Sequence, residues 1–502
     1  MAEKEKRKEI RFPQDGIMGW IYTRTPGSLH LSNSIGAARG LIQIPADQEA
    51  VLVMAAEPTD TTAEEGWSQP AHVRSQGLTV DLAALGRLNP DDFAAIHLVG
   101  LRLSDADLIH LGTLTGLQEI DLSRTSLNGS GLVHLQSLKG LRRLLLRETR
   151  VDNDGVSNLQ AIVSLQELSL EASQVTDHGL RHLRQLDKLK MLDLSYTSTS
   201  GPGLTDLHRL SELATLNLSH CGITDSSLIY IEDVSSVDTL FLIGNPIVNY
   251  GLERLQRMHK LSRLYLNDTL IDDSALVTLQ SAPSLRYLDL QHTSISDSGL
   301  SRLQSLPNLE SLILTSTKIT DIAVMSLKNM SSLRSLTLSN TSITDVSLSQ
   351  LRYFPFLCQL NISATQIGDA GLSYLAECLA LRSLDLGYTR VTSKGMAYLE
   401  QLANIRTLRL PHTSISDDGL EMIGRMATLR SLDLSDTQIS DAGLAHLRNL
   451  CDLQELDLSF TNVSDLGLAH LKYLGHLRSV SVEGTRITQA GLASLHIVSP
   501  DS

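Results

Sequence analysis

The side chains of this chain best suited to chemistry are 16 histidines and four cysteines, and their spacing favours none of it. Metal and redox sites hold paired ligands within a few residues, as in C-x-x-C or H-E-x-x-H, and neither motif occurs. Cys221, Cys358, Cys378 and Cys451 form no close-spaced pair, so neither a disulfide framework nor a zinc site is expected. The phosphate-cradling G-x-x-x-x-G-K-[ST] loop and the G-x-S-x-G nucleophile elbow are also missing. His292 and His412 share one slot of a repeated pattern but lie five repeats apart. That is roughly 24 Å at about 4.8 Å per strand, too far for one metal ion. The sequence therefore predicts no catalytic residue, no metal site and no cofactor: not an enzyme.

Aspartate, by contrast, recurs at fixed spacing. Leu189-Lys-Met-Leu192-Asp193-Leu194-Ser-Tyr-Thr197 returns at Leu285 to Thr293 and at Leu429 to Thr437, separations of 96 and 144 residues, both multiples of 24. Laid out at that period, residues 93–500 form 17 units (17 × 24 = 408) without insertion or deletion, with Phe93 at position one. The shared pattern is L-x-x-L-x-L-x-x-T-x-I-x-D-x-G-L-x-x-L-x-x-L-x-x. Its L-x-L core is a period-two strand with both leucines inward. The spacing of three in D-x-G-L-x-x-L-x-x-L gives one apolar side of a short helix. Asp opens that segment in 11 units, among them Asp297, Asp345 and Asp441. There its carboxylate can accept from the free N–H groups of the helix start and face the positive dipole end. The threonines at position nine lie at the turn leaving each strand, where stacked hydroxyls can bond the backbone of adjacent turns; Cys221 takes the same slot.

This pattern resembles the leucine-rich-repeat family, over about four-fifths of the chain (408 of 502 residues). Threonine at position nine followed by D-x-G-L is similar to bacterial repeats and to some F-box-associated repeats; Asn245 alone carries the asparagine usual in extracellular animal and plant repeats. The resemblance implies an α/β solenoid: a curved horseshoe with a parallel sheet on the concave face and short helices on the convex face.

Outside the repeats, the expected layout is a charged tail over 1–9, a small N-terminal β-rich domain over 10–56, a linker over 57–70 and a capping half-repeat over 71–92, with the solenoid filling 93–502. The β-rich assignment rests on five short apolar runs, at Ile10–Phe12, Trp20–Tyr22, Leu29–Leu31, Leu41–Ile44 and Val51–Met54, separated by turn residues such as Pro26-Gly27. Asp81-Leu82-Ala-Ala-Leu85-Gly-Arg-Leu88 repeats the helix spacing and suits a cap.

The balance of 42 basic against 56 acidic residues, a net charge of −14, argues against a nucleic-acid or membrane-surface binder. The N-terminus lacks a signal-peptide core, so a reducing cytoplasm is expected. Positions three, five, seven and eight of each unit are not needed by the core and pave the concave face and its edge. Most entries there are small or charged, but Phe241, Ile243, Tyr265, Tyr287 and Ile313 concentrate apolar and aromatic groups in four successive units, with Asp289, Arg263 and Arg286 as the expected polar rim. Exposed clusters of that kind mark interaction sites, while cross-strand stacking is the alternative use. Arginines at position two, with aspartate three residues on as in Arg286/Asp289, predict a row of surface ion pairs. The expected function is a non-catalytic scaffold binding a protein or peptide ligand on its concave face, with the oligomeric state left open. The alternatives are an adaptor or effector recruiting substrates to a ubiquitin-type ligase or signalling complex through its N-terminal domain, and an enzyme with its site in residues 10–56.

Overall fold

The computed structural model describes residues 7–25, 28–45, 49–53, 82–280, 282, 284–303, 306–493 and 495. The linker over 57–70, part of the tail and of the cap, and the C-terminal residues 496–502 lie outside them. The chain divides into two compact units, the first comprising residues 1–246 and 257–261, the second residues 247–256 and 262–502.

The first unit begins with three strands: β1 (Arg7–Thr25), β2 (Ser28–Pro45) and β3 (Glu49–Val53). The five expected runs thus fall on three strands. β1 ends before Pro26-Gly27 and β2 at Pro45, but the first two runs share β1, whose pairing shows only a register irregularity between Phe12 and Ile17. β1 pairs antiparallel with both β2 and β3. β3 also runs parallel to β4 (Ala95–His97), with Val51 opposite Ala95, so it extends the repeat sheet by one strand. Among the cap residues, Leu82 and Leu85 of the 3₁₀ helix Leu82–Arg87 are buried.

Each 24-residue period then contributes one three-residue strand, seven in the first unit, from β4 to β10 (Thr239–Phe241), and ten in the second, from β11 (Arg263–Tyr265) to β20 (Ser479–Ser481). Within each unit successive strands pair in parallel and in register, Leu opposite Leu. The leucines at positions four and six are buried, as at Leu288 and Leu290, and the helix leucines Leu300, Leu303 and Leu306 close the core from the other side. The helical segments are short, mixing α turns such as Asp417–Ile423 with 3₁₀ helices such as Pro202–Arg209. Apolar residues every third position suit the 3₁₀ form, which stacks i over i+3.

The aspartates act differently from the expectation. Asp297 is the first residue of its own helix, and its carboxylate reaches the next repeat, where Oδ1 accepts from the Thr320 N–H (2.7 Å) and Oδ2 from the Thr320 hydroxyl (2.7 Å). Thr320 is in turn the N-cap of the following helix, its hydroxyl accepting from the Ile322 N–H. Asp321, Asp369, Asp417, Asp441 and Asp465 repeat this clamp on Thr344, Thr392, Ser440, Ser464 and Thr488. The aspartate therefore caps its neighbour's helix rather than its own. The glycine at position 15 follows from it: a Cβ on Gly467 would lie 2.5 Å from Asp441 Oδ1, which instead accepts the Gly467 N–H at 3.1 Å.

The threonine ladder is also corrected. Each position-nine threonine donates its hydroxyl to the position-six carbonyl of its own turn, as Thr293 to Leu290 (2.6 Å) and Thr413 to Leu410 (2.7 Å). Asn245 does bridge turns: its Nδ2 donates to Leu218 O (2.8 Å) and its Oδ1 accepts from the N–H groups of Cys221 (3.1 Å) and Ile223 (2.9 Å). Cys221 joins that bridge, its thiol donating to Leu194 O at 3.0 Å.

Position eight carries a constraint the pattern does not advertise. In all 17 units it has positive φ, between 51° and 71°, and only Gly100, Gly244 and Gly484 are glycine there. The left-handed turn aims the position-eight N–H at the next repeat, as His292 N–H to Thr315 O (3.0 Å). That bond offsets the roughly 1–2 kcal/mol that a side chain costs in this conformation.

Two variants test this account. Leu290→Ala should cost about 2–5 kcal/mol in thermal or denaturant melts; an unchanged melt would contradict the inward placement of position six. Asp297→Ala should cost about 0.5–2 kcal/mol, while Asp297→Asn should recover most of it, because Asn153 already clamps Thr176 with both amide atoms. Burial pushes the Asp321 and Asp441 carboxyls up, but hydrogen bonds from Ser347 and Thr344, and from Ser464 and Gly467, outweigh it and hold both below the usual carboxylate value. Their contribution is present above the unfolded value of about 4 and is lost as pH falls through the folded one.

Candidate functional site

The face of the sheet away from the helices is built from positions three, five, seven and eight. In the second unit, β11, β12 (Tyr287–Asp289) and β13 (Ser311–Ile313) place Arg263 opposite Tyr287, and Tyr265, Asp289 and Ile313 in one row. Tyr265, Tyr287, Asp289 and Ile313 are thus brought together as expected, and all four are half-buried. Their rings interact with each other: Tyr265 and Tyr287 lie 4.6 Å apart at 38°, and the Arg263 guanidinium sits 5.9 Å over Tyr287. Phe241 and Ile243 belong to the first unit, at and just beyond the end of β10, and are half-buried too.

The chemistry of this cluster is that of a partly desolvated surface. Burial, then Asp289 and Tyr265, push the Tyr287 hydroxyl well above its ordinary value. Burial likewise pushes the Asp289 carboxyl up to about 6, against the backbone N–H of Gln291, which it accepts at 3.0 Å. That last bond is general. At position five, Asp121, Asp193, Asn217, Asn361, Asp385, Asp433 and Asp457 also accept from the N–H two residues on. Such Asx turns close the strand end, so Asp289 has a structural duty beside any role at a rim. The Arg286/Asp289 ion pair does not form; Arg286 reaches across to Glu310 in the next repeat at 2.6 Å. In the first unit the same cross-repeat logic links Glu119, Arg143 and Glu167 (3.6 and 3.0 Å).

Position eight supplies aromatic surface that the sequence reading passed over. Tyr196, Tyr388 and Phe460 are 56, 61 and 56 % exposed, the most open aromatic rings on the sheet side. Tyr196 stacks on His220 (4.4 Å, 13°) and Tyr388 on His412 (4.7 Å, 27°). The signal was an aromatic directly before the threonine slot, the same place in which His292 and His412 were noticed.

Among the described residues no group of three or more histidines, cysteines, aspartates or glutamates could hold a metal ion, and no helix is long and apolar enough to cross a membrane. All four cysteines are free thiols. Burial pushes Cys378 up to about 11, with Glu377 adding to it, and burial raises Cys221 as well, so neither is poised as a thiolate.

Comparison with known families agrees with this architecture. Leucine rich repeat models match residues 307–367 and, separately, 213–231, 425–447 and 449–471; a two-copy model matches 283–329. The chain is a leucine-rich-repeat protein. Curated protein sequences give no match. Among solved structures, TLR13 in its complex with ssRNA13 has a TM-score of 0.56 at 18 % identity, covering 82 % of this chain and 69 % of that one. An internalin, inlF of Listeria monocytogenes, has a TM-score of 0.43 at 22 % identity, covering 64 % and 82 %. A leucine-rich-repeat protein of Leptospira interrogans has 0.41 at 18 %, covering 83 % and 96 %. At these identities the likeness concerns the fold alone.

The raised Asp289 carboxyl gives a test with a definite sign. A carboxyl whose folded value lies above its unfolded one binds protons more tightly when folded, so stability falls as pH rises between about 4 and 6. Asp289→Asn keeps the Asx acceptor and removes the buried charge. It should raise the melting temperature at about pH 7.5 and leave it unchanged near pH 4. A variant less stable than wild type at the higher pH would show that the charge itself is needed.

Proposed function

We propose that this leucine-rich-repeat protein is a non-catalytic interaction scaffold that binds a protein or peptide on the sheet face of its repeats. The observation that carries the reading is the apolar surface of Tyr265, Tyr287 and Ile313, half-exposed on a face the hydrophobic core does not require. Phe241 and Ile243 offer the same kind of surface on the first unit. A scaffold needs no nucleophile or metal, and the buried thiols and Asx-bound aspartates supply neither. The fold by itself does not exclude nucleic acid, since TLR13 is seen with ssRNA13. The preference for a protein or peptide rests on this chain's own charge of −14, which repels a polyanion. A cytoplasmic setting is part of the proposal, supported by four free cysteines. The adaptor alternative would use residues 10–56, but the described backbone there is strand, without the helices of an F-box-like module.

Affinity capture with mass spectrometry tests the reading, using the wild-type chain beside a Phe241→Ala/Tyr265→Ala variant shown to be folded by circular dichroism. A specific partner should be recovered by wild type and reduced by roughly tenfold or more with the variant. Equal recovery by both would mean that the aromatics serve only to stack on their neighbours.

A further inference from the structure

The sheet face of the last five repeats differs from that of the three repeats before them. β16 (Ser383–Asp385), β17 (Thr407–Arg409), β18 (Ser431–Asp433), β19 (Glu455–Asp457) and β20 pair in parallel and align Asp385, Arg409, Asp433 and Asp457 in one row. Beside that row run Tyr388, His412, Asp436 and Phe460, each held at positive φ. Tyr388 and Phe460 are 61 and 56 % exposed. His412 backs one face of Tyr388 at 4.7 Å and is itself hydrogen-bonded through Nδ1 to Asp436. On the other side of Tyr388 the position-eight residue is Ala364, whose methyl group is too small to cover a ring. Phe460 lies over Gly484, where any Cβ would strike its ring.

Charge identifies the occupant. At positions three, five, seven and eight these five repeats carry six carboxylates, Asp385, Asp433, Asp436, Glu455, Asp457 and Glu483, against one guanidinium. That guanidinium, Arg409, bridges Asp385 (3.9 Å) and Asp433 (3.4 Å). The three repeats before them carry no charge at any of those positions: β13, β14 (Ser335–Thr337) and β15 (Gln359–Asn361) present Ser311, Ser335, Thr337, Gln359 and Asn361. Across these eight repeats the acid is therefore confined to the five that also expose aromatic rings; Asp268 and Asp289 lie in the two repeats further back. Ring faces attract ammonium and guanidinium groups through their quadrupole, and carboxylates attract them as charge-assisted acceptors. Two independent features of one surface thus select the same ligand chemistry.

The geometry points to the sheet face of residues 383–484 as the docking surface for an extended, lysine- or arginine-bearing segment of a partner protein. This rests on the scaffold reading and names the partner's chemistry. Tyr388 and Phe460 stand three repeats apart, roughly 14 Å, a span covered by about four or five residues of extended chain.

Fluorescence anisotropy tests it, with a labelled peptide alternating lysine and serine, a glutamate–serine peptide as control, and the full chain as titrant. The lysine peptide should bind and the glutamate peptide should not. Tyr388→Ala/Phe460→Ala, which leaves the charge unchanged, should weaken binding roughly tenfold. Asp433→Asn/Asp457→Asn should also weaken it and flatten its salt dependence; the variant keeps the Asx turn, which Asn217 and Asn361 already make. Asp418→Asn/Glu421→Gln removes equal charge from the helix Asp417–Ile423 and should leave affinity unchanged. Absence of lysine-peptide binding, an aromatic variant that binds like wild type, or equal weakening by the helix pair would overturn the inference. A partner captured through Phe241 and Tyr265 but indifferent to Tyr388→Ala/Phe460→Ala would overturn it while leaving the scaffold reading intact.

Discussion

The carboxylate that most repeats extend into the next fixes the register of everything else. A 24-residue turn of chain cannot bury its leucines alone, so it is stable only when seated on its neighbours. Hydrophobic contact is non-directional and would tolerate sliding; two directional hydrogen bonds accepted by one aspartate do not. Asp297 takes both the N–H and the hydroxyl of Thr320, and Thr320 then caps the helix that begins with Asp321. Each clamp thus positions the next carboxylate, and the series runs from Asp273 to Thr488 in the second unit. Where Ser393 replaces aspartate, its hydroxyl still accepts the Ser416 N–H, at 3.0 Å.

A second consequence of stacking lies at position eight. The chain must leave each strand while keeping a backbone donor aimed at the next turn, and the left-handed conformation does both. Because every repeat makes the same bend, the position-eight side chains stand in a row along the sheet edge. Whatever the sequence places there meets its counterpart 24 residues on: Arg124 pairs with Glu148 (2.9 Å), His292 with Asp268 (2.9 Å), and Tyr388 stacks on His412. An aromatic residue in this slot is offered to solvent by the backbone itself.

The same reasoning separates available groups from committed ones on the sheet face. Asp193 is fully buried, with Ser195 and Ser169 as donors, and burial raises its carboxyl pKa. It closes a strand end and offers little to a ligand. Asp289 shares that duty. Glu455 and Glu483, at positions three and seven, are exposed, and with Tyr388 and Phe460 they form surface that the solenoid does not consume.

The sequence alone determined the repeat, its period, its strand and helix phases and the inward leucines, because hydrophobic periodicity is a local signal copied 17 times. It also located the Tyr265–Tyr287–Ile313 surface, because alternation along a strand sends position five away from positions four and six. It misassigned the aspartates and threonines because a motif shows which residue can bond, not which repeat supplies the partner. Asp297 and Thr320 are 23 residues apart, and only stacking makes them neighbours, whereas the short threonine side chain finds its acceptor three residues back. The five apolar runs before residue 56 read as five strands because a break and an irregularity in a long hairpin look alike in one dimension. The exposed row at position eight was invisible for a related reason. Tyrosine, histidine and phenylalanine carry no local mark of positive φ, and only the hydrogen bond to the next repeat imposes it.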